Sequence, residues 1–445
     1  MKTLIKKIIP KRILGIYHFL LAIFADFFYS FPSNKMIVIG VTGTGGKSTT
    51  IKMIGEILTE YGLPVGWLSS LSIRILDKEE INPYHMTMLG RFKLQKYLKI
   101  MLTKGVRCVI IEVTSEGIKQ FRHIGINFDI LVFTNLSREH IEAHGSFEKY
   151  REAKLKIFKR LQKLKKKKLA WLDEIQKKII IANLDDENAD CFIKQKADKK
   201  YGFSLKEMKT LPEKVKLLKI ISYKLDEDGS SFALDSTKFE LKLLGEFNVY
   251  NALAAITTAR ALDIDYITAK HALSKIEKVP GRMEKIETLK NFNVVIDLAH
   301  TPDSLKQAYK TLKKAYFLVP GFKNMICVFG SAGGGRDKRK RSIMGEIAGE
   351  FCDKTYLTNE DPYDEVPKDI LKDIEEGLKK KNKVLGKEYF KIEDRRKAIS
   401  GALKSAKKND LVVITGKGTE ATMVIGNKKI PWNERKVVEE ELEKI

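Results

Sequence analysis

The chain has few of the residues that build metal clusters or covalent catalysts. Its four cysteines, Cys108, Cys191, Cys327 and Cys352, are scattered through 445 residues, with no C-x-x-C pair and no histidine cluster beside them. That scatter argues against a thiolate zinc site and predicts reduced thiols, three of them inside apolar runs, in a cytosolic chain. No Gly-x-Ser-x-Gly elbow and no papain-like cysteine context occurs, so nothing points to a side-chain nucleophile. Internal repeats are absent, and the only biased tract is a run of lysines.

Acidic residues are also short in supply: 57 Asp and Glu stand against 82 Lys and Arg, a formal net charge of +25. Such an excess suits a nucleic acid, an anionic membrane or simply solvated faces. The lysines concentrate in Lys159–Lys168 and Lys379–Lys383, without interleaved aromatics or a reading helix. The prediction is therefore solvated helix faces and no nucleic-acid partner. Residues Ile13–Phe31 are apolar apart from a few, including His18 and Asp26, and follow Lys2, Lys6, Lys7, Lys11 and Arg12. The stretch is marginal for a span and carries Asp26, and no small-residue cleavage site follows it. Two readings stay open, an interfacial helix on an anionic leaflet and a helix docked on the protein itself.

What the chain does have is Gly40-Val41-Thr42-Gly43-Thr44-Gly45-Gly46-Lys47-Ser48-Thr49-Thr50, between the apolar run Met36–Ile39 and an apolar-periodic helix. Closely spaced glycines let backbone N–H groups face polyphosphate oxygens, and a helix N-terminus adds favourable partial charge. Lys47 can then reach the β- and γ-phosphates and Ser48 can hold Mg²⁺, so the loop predicts ATP. Its spacing departs from G-x-x-x-x-G-K-[ST], because five residues before Gly46 stands Val41. Export would separate such a loop from its ATP, so the expected location is cytoplasmic, with a peripheral position at the inner membrane face open through residues 1–31.

Length and a 43% hydrophobic content predict two or three domains. Apolar β-rich runs recur at Met36–Ile39, Val106–Val113, Phe128–Phe133, Lys178–Ile181, Val294–Ile296, Met325–Phe329, Lys354–Leu357 and Leu411–Ile414, with helical patterns between most of them. The fold class expected is α/β: a P-loop central domain with a mostly parallel sheet and a Rossmann-like C-terminal α/β domain. Boundaries are expected at 1–35, 36–279 and 280–445, the last at Val279-Pro280-Gly281. In the helix pattern that follows Gly145, Lys154 shares the stripe of Phe147, Tyr150, Ile157, Phe158 and Leu161. Snorkelling is the ordinary explanation of such a lysine; a desolvated amine that adds CO₂ and becomes a carboxylate-like metal ligand is the functional one.

Gly-x-x-Gly-Thr-x-Gly-Lys-Ser-Thr-Thr, Glu112-Val-Thr-Ser115, Thr134-Asn-Leu-Ser-Arg-Glu-His140, Tyr150-Arg-Glu-Ala-Lys154, Gly245-x-Phe-Asn-Val-Tyr-Asn251, Pro280-Gly-Arg-Met-Glu284 and Asp297-Leu-Ala-His-Thr-Pro-Asp303 stand in this order. Together they resemble the Mur ligase family, most closely its UDP-N-acetylmuramoyl-tripeptide synthetase type, over roughly residues 36 to 445. The resemblance implies an ATP-dependent amide ligation through an acyl phosphate, adding an amino acid to a muramoyl-dipeptide acceptor in peptidoglycan synthesis. It implies that Gly43, Thr44, Gly45, Gly46, Lys47, Ser48 and Thr49 hold ATP, with Asn251, Asp297 and His300 on the adenine side and Arg282 at the start of the C-terminal domain. Ser48 and Glu112 would ligate one Mg²⁺, and His140 with carbamylated Lys154 a second; Lys47, Lys154, His140 and Glu112 would be catalytic. Thr87, Arg91, Thr114 and Ser115 would meet the acceptor, and Arg336, Asp361 and Glu420 the incoming amino acid.

The sequence departs from the family at three places. A domain that grips the UDP part of the substrate would precede the loop, and here the loop lies before residue 50, so the acceptor is expected to be a small-molecule or a lipid-linked muramoyl peptide. The diaminopimelate motif Asp-Asn-Pro-Arg reads Glu360-Asp361-Pro362-Tyr363, which favours a diamino acid with a distal amine alone, such as lysine or ornithine. Thr-Thr-Pro becomes Met86-Thr87-Met88, and Gly-Lys-Gly-His-Glu becomes Gly416-Lys-Gly-Thr-Glu420. Two other functions fit the loop, a folylpolyglutamate synthase-like ligase and a non-catalytic ATP-binding scaffold docked at the membrane.

Overall fold

The structure is a computed structural model that describes residues 11–84, 86–137, 144–208, 210–226, 228–317 and 319–445. The chain divides into two compact units, Met1–Tyr223 with Ser231–Glu240 and Phe247–Lys275, and Lys224–Ser230 with Leu241–Glu246 and Ile276–Ile445.

The first unit opens with α1 (Lys11–Phe28), β1 (Ile37–Thr42) and α2 (Lys47–Glu60). There follow β2 (Val65–Leu68), β3 (Ser72–Ile75), β4 (Lys78–Ile81), α3 (Arg91–Thr103), β5 (Cys108–Glu112), α4 (Ser115–Lys119), β6 (Ile130–Phe133) and α5 (Phe147–Leu161). Its sheet is completed by β7 (Ile179–Asn183), β8 (Lys199–Ser204) and β9 (Val215–Lys219). The nine strands lie in the order β9-β8-β7-β6-β1-β5-β2-β3-β4, parallel except for the hairpin strands β3 and β4. Every residue of β1, β5, β6 and β7 is buried, as expected of β-branched runs covered by helices on both faces.

Register positions the chemistry. Val41 of β1 pairs with Glu112 of β5, and Thr42 with Phe133 of β6, so Glu112, which ends β5, and Thr134, which follows β6, lie beside the loop that leaves β1. The expected runs at 36–39, 106–113, 128–133 and 178–181 all coincide with strands. Strands β8 and β9 were not expected: KKYGFS of β8 opens on two lysines, and VKLLK of β9, at the edge of the sheet, carries the lysines that keep an open edge soluble.

The lysine run is not wholly a solvated face. Lys167 is buried, and its Nζ donates to Asp129, to the Met36 carbonyl at 2.8 Å and to the Asn127 carbonyl at 2.6 Å. Lys178, also buried, meets the other oxygen of Asp129 at 2.9 Å. Burial lowers the Lys167 ammonium to about 8, against the pull of Asp129.

Helix α1 packs on α3, as the docked-helix reading expected, through Phe24 and Phe28 on Phe92, and Phe19 meets Phe121 in the turn after α4. Asp26 lies on the packed side, where a Cβ on Gly125 would come within 2.6 Å of it. Desolvation raises its carboxyl to about 6. The contribution of Asp26 to stability is therefore present below its ordinary pKa and lost as pH rises through about 6. Asp26→Asn should raise the thermal midpoint at neutral pH, by an amount equivalent to about 1 kcal/mol once partial exposure is allowed for, and leave it unchanged at pH 4. Thermal scans at the two pH values check this.

After β10 (Ser222–Asp226), β11 (Gly229–Leu234) and β12 (Thr237–Leu241), which form a small three-stranded sheet, come α6 (Glu246–Ala261) and α7 (Tyr266–Ser274). The second unit then runs through β13 (Glu284–Ile286), β14 (Asn293–Asp297), α8 (Pro302–Phe317), β15 (Met325–Phe329), α9 (Arg339–Phe351), β16 (Lys354–Leu357), α10 (Pro367–Lys380), β17 (Tyr389–Lys391), α11 (Arg395–Ser405) and β18 (Leu411–Thr415). A hairpin, β19 (Thr422–Ile425) with β20 (Lys428–Pro431), and α12 (Glu434–Glu443) close it. Its sheet has the order β13-β14-β18-β15-β16-β17, parallel except for β13.

The cysteine expectation is corrected here. Cys327 in β15 and Cys352 just after α9 are joined in a disulfide, and Cys108 and Cys191 are free. Asp353 N–H donates to the Met325 carbonyl, so the exit of α9 returns beside the start of β15. A separation of 25 residues conceals that return from a search for close cysteine pairs.

Candidate active site

The loop after β1 is held in shape by the strand next to it. Thr44 N–H donates to the Asn135 carbonyl at 2.9 Å, Gly45 N–H to Asn135 Oδ1 at 2.8 Å, and Thr134 Oγ1 to the Gly45 carbonyl at 2.8 Å. A Cβ on Gly43 would stand 2.0 Å from Thr134 Oγ1, and one on Gly46 2.2 Å from Asn251 Oδ1. Gly46 also has φ +78°, which disfavours any side chain. Gly46→Ala should cost about 2–3 kcal/mol of stability and weaken nucleotide binding at least tenfold, by thermal denaturation and a nucleotide titration. Thr44 and Gly45 spend their N–H groups on Asn135, so a bound phosphate would meet the first turn of α2, whose N–H groups lack intrahelical acceptors.

At the end of β5, Glu112 Oε2 accepts from Ser48 Oγ at 2.8 Å and from Ser70 N–H at 2.7 Å, and the two serine hydroxyls lie 2.8 Å apart. Lys47 Nζ donates to the Thr44 carbonyl at 2.9 Å and stands 3.9 Å from Glu112 Oε1. These hard oxygens fit a Mg²⁺ that keeps water and phosphate as its remaining ligands. Among the described residues no group of three or more His, Cys, Asp or Glu forms a closed cage for a metal.

Lys154 points inward on α5 and is 2% exposed. Its Nζ donates to the Gly43 carbonyl at 2.8 Å and lies 4.9 Å from the centre of the Tyr150 ring, whose hydroxyl is 3.1 Å from Thr44 Oγ1. The helix thus braces the loop at Gly43 and Thr44, while Asn251 stands against Gly46. His140, the partner expected for Lys154, lies outside the described residues.

Of the expected acceptor contacts, Thr114 caps α4, its Oγ1 accepting from Gly117 N–H at 3.0 Å, and buried Ser115 Oγ lies 3.1 Å from His144 Nε2. Desolvation first, then Lys119 and Lys154, lower the pKa of His144, against Glu116. Thr87 is half-buried. Arg91 donates to the Gln120 carbonyl, and desolvation lowers its pKa. Thr49 is buried in α2, and Asn251 Oδ1 accepts from Thr50 Oγ1 at 3.2 Å.

In the second unit, buried Asp297 accepts from Met283 N–H at 2.8 Å and Ala299 N–H at 2.7 Å; burial raises its carboxyl, against Arg282 beside it. His300 is exposed, with Nδ1 2.9 Å from the Leu298 carbonyl. Arg336 is exposed on the turn after β15. Lys417 Nζ, wholly buried, gathers both oxygens of Asp361 at 3.0 Å and Glu420 Oε2 at 2.5 Å. Desolvation works against that ammonium, and Glu420 and Asp361 outweigh it and raise its pKa.

Residues 41–259 match the Mur ligase middle domain, and residues 281–418 match the Mur ligase, glutamate ligase domain. The UDP-N-acetylmuramoyl-L-alanyl-D-glutamate–2,6-diaminopimelate ligase of Caldanaerobacter subterraneus subsp. tengcongensis is 38% identical over 418 residues, covering 94% of this chain and 80% of that protein. The chain belongs to the Mur ligase family. As a Mur ligase it is an ATP-dependent ligase. A solved UDP-N-acetylmuramoyl-L-alanyl-D-glutamate–2,6-diaminopimelate ligase superposes with a TM-score of 0.61 at 31% identity, over 92% of this chain and 78% of that one. Mycobacterium tuberculosis folylpolyglutamate synthase complexed with ADP reaches a TM-score of 0.66 at 16% identity, over 89% and 91%, a likeness of fold alone.

Sequence reasoning assigned no role to Ser70, Asn135, His144 or Lys417. Asn135 and Lys417 stand inside motifs already quoted, and a hydrogen-bonding residue in a phosphate-site motif was the available signal. Ser70 and His144 carried none, because only the tertiary fold brings them to Glu112 and Ser115.

Proposed function

We propose that this Mur ligase joins the amino group of a diamino acid to the terminal carboxylate of a muramoyl-dipeptide acceptor, with conversion of ATP to ADP and phosphate. The observation that carries the reading is the contact of Lys47, Ser48 and Glu112 at the start of α2, under a glycine loop that leaves no room for side chains at Gly43 and Gly46. The acceptor carboxylate attacks the γ-phosphorus and ADP leaves, giving an acyl phosphate. The amine then attacks the acyl carbon, the C–O bond to phosphate breaks, and the amine loses a proton. Mg²⁺ held at Ser48 and Glu112 would offset charge on the phosphate oxygens. Lys47 does the same as a fixed ammonium beside the loop, and Asn135 keeps Thr44 and Gly45 in the geometry the phosphates need. Lys154 adds CO₂ at Nζ with release of a proton, and the resulting carbamate supplies a further oxygen donor.

Asp361 and Glu420 share Lys417, which leaves one carboxylate charge in excess; that excess suits an amine-bearing side chain, and Tyr363 offers no cation for a distal carboxylate. Glu365 nearby adds nothing to that excess, because Arg341 and Lys338 hold it. We infer that the enzyme works in the cytoplasm, peripheral at the inner face of the membrane with residues 1–31 as its contact; the basic residues that precede the apolar run Ile13–Phe31 support this.

Phosphate release is to be measured with UDP-linked, UDP-free and lipid-linked muramoyl dipeptides, each with lysine, ornithine and diaminopimelate, against folate plus glutamate. Turnover with a muramoyl acceptor and a diamino acid is expected. Turnover with folate and glutamate alone would overturn the reading.

A further inference from the structure

Helix α1 is built inside out. The side packed on α3 and the 121–125 turn holds Gly15, His18, Ala22, Ala25 and Asp26, so His18 and Asp26 face the protein. The opposite stripe, Ile13, Ile16, Leu20, Ile23 and Phe27, is apolar and exposed, Phe27 by 65%. These positions recur every three or four residues, so they form one continuous face. A soluble surface helix has the reverse pattern, and a contiguous apolar face of this size marks an interaction site.

We propose that this face is an in-plane anchor that lies in the headgroup region of an anionic lipid bilayer. The proposal rests on the membrane-face location given above and names the lipid class and the residues that enter it.

Charge selects this occupant. The face itself carries no charged side chain, while Lys2, Lys6, Lys7, Lys11 and Arg12 precede it in sequence, and exposed Lys93 and Lys96 lie on α3, the helix it packs against. Apolar side chains in the interface with lysines at the lipid phosphates are how an amphipathic helix holds an anionic leaflet. A second copy of the same chain would bring the same cations to the contact, and the net charge of +25 opposes that approach.

Geometry selects the orientation. No described helix is long and apolar enough to cross a membrane. The 18 residues of α1 span about 27 Å at 1.5 Å per residue, and a span would have to pull Asp26 and the two alanines off α3. Lying flat, α1 keeps that packing and buries only its outward face.

Co-sedimentation of the full chain with vesicles of phosphatidylcholine, with and without phosphatidylglycerol, tests the proposal. Binding at least about tenfold tighter to the anionic vesicles is expected, weakening as salt is raised. I16S/L20S/I23S/F27S, all on the exposed face, should abolish binding while thermal midpoint and ligase activity on a soluble acceptor stay unchanged. K6E/K7E should weaken binding to anionic vesicles and leave any residual binding to neutral ones as it was. Binding indifferent to lipid charge and to the serine variant would overturn the anchor and keep the membrane location; no binding to either vesicle would overturn both. A dimer in sedimentation velocity that the serine variant dissociates would assign the face to a second copy and overturn the lipid proposal. Loss of ligase activity with binding intact would bear on the proposed reaction alone.

Discussion

Lys47→Ala is expected to lower ATP-dependent phosphate release by about a thousandfold, the scale seen when a preorganised donor to a developing anion is removed. The side chain is partly exposed and its ammonium serves the loop carbonyl of Thr44 and the field of Glu112, so the fold should survive its loss. What disappears is the positive charge that offsets negative charge on the transferring phosphoryl oxygens. Glu112 is then left without its nearby ammonium, which adds to the penalty when triphosphate arrives. Single-turnover phosphate release, with circular dichroism as the control, measures this. A loss smaller than about tenfold in a folded variant would remove Lys47 from the reaction.

Lys154→Ala is expected to abolish ligation, and added bicarbonate should not restore it. Two effects combine. The Gly43 carbonyl loses its 2.8 Å donor in a buried setting, at about 1–3 kcal/mol, and the loop loses the brace from α5. The carbamate that would supply an oxygen donor can no longer form. Lys154→Met, which keeps the volume of the side chain but not the donor, separates packing from chemistry: the packing part of the stability loss should recover, and the lost hydrogen bond and the activity should not. Labelling with ¹³C-bicarbonate reads the modification directly, with a carbamate carbon resonance in the wild type and none in Lys154→Met. A fully active Lys154→Ala, or a wild type without that resonance, would overturn the carbamate.

Much of this is legible in the sequence. The runs at 36–39, 106–113, 128–133 and 325–329 become central parallel strands because they are continuous, β-branched and long enough to be nothing else. Lys154 was legible because a charged residue on an apolar stripe violates helix periodicity, and the violation survives folding as a buried amine. The strands at 199–204 and 215–219 escaped notice because lysines interrupt both apolar patterns, and the second, at the edge of the sheet, has an open side to keep soluble. The Cys327–Cys352 disulfide and the pairing of Lys167 with Asp129 escaped for another reason: each joins residues that chain distance keeps apart.

The sequence alone determined the α/β class, the loop and its cation, and the inward lysine, since these rest on local pattern: periodicity of burial, glycine at positions that exclude side chains, and charge set against an apolar face. Tertiary structure alone decided that Ser70 joins Ser48 at Glu112, that Asn135 holds the loop, and that Asp361 and Glu420 share one buried lysine. It also decided which way α1 faces. A sequence rich in phenylalanine and isoleucine says that a helix must bury something, and only the packing of Ala22 and Ala25 on the protein shows that the larger side chains were left outside.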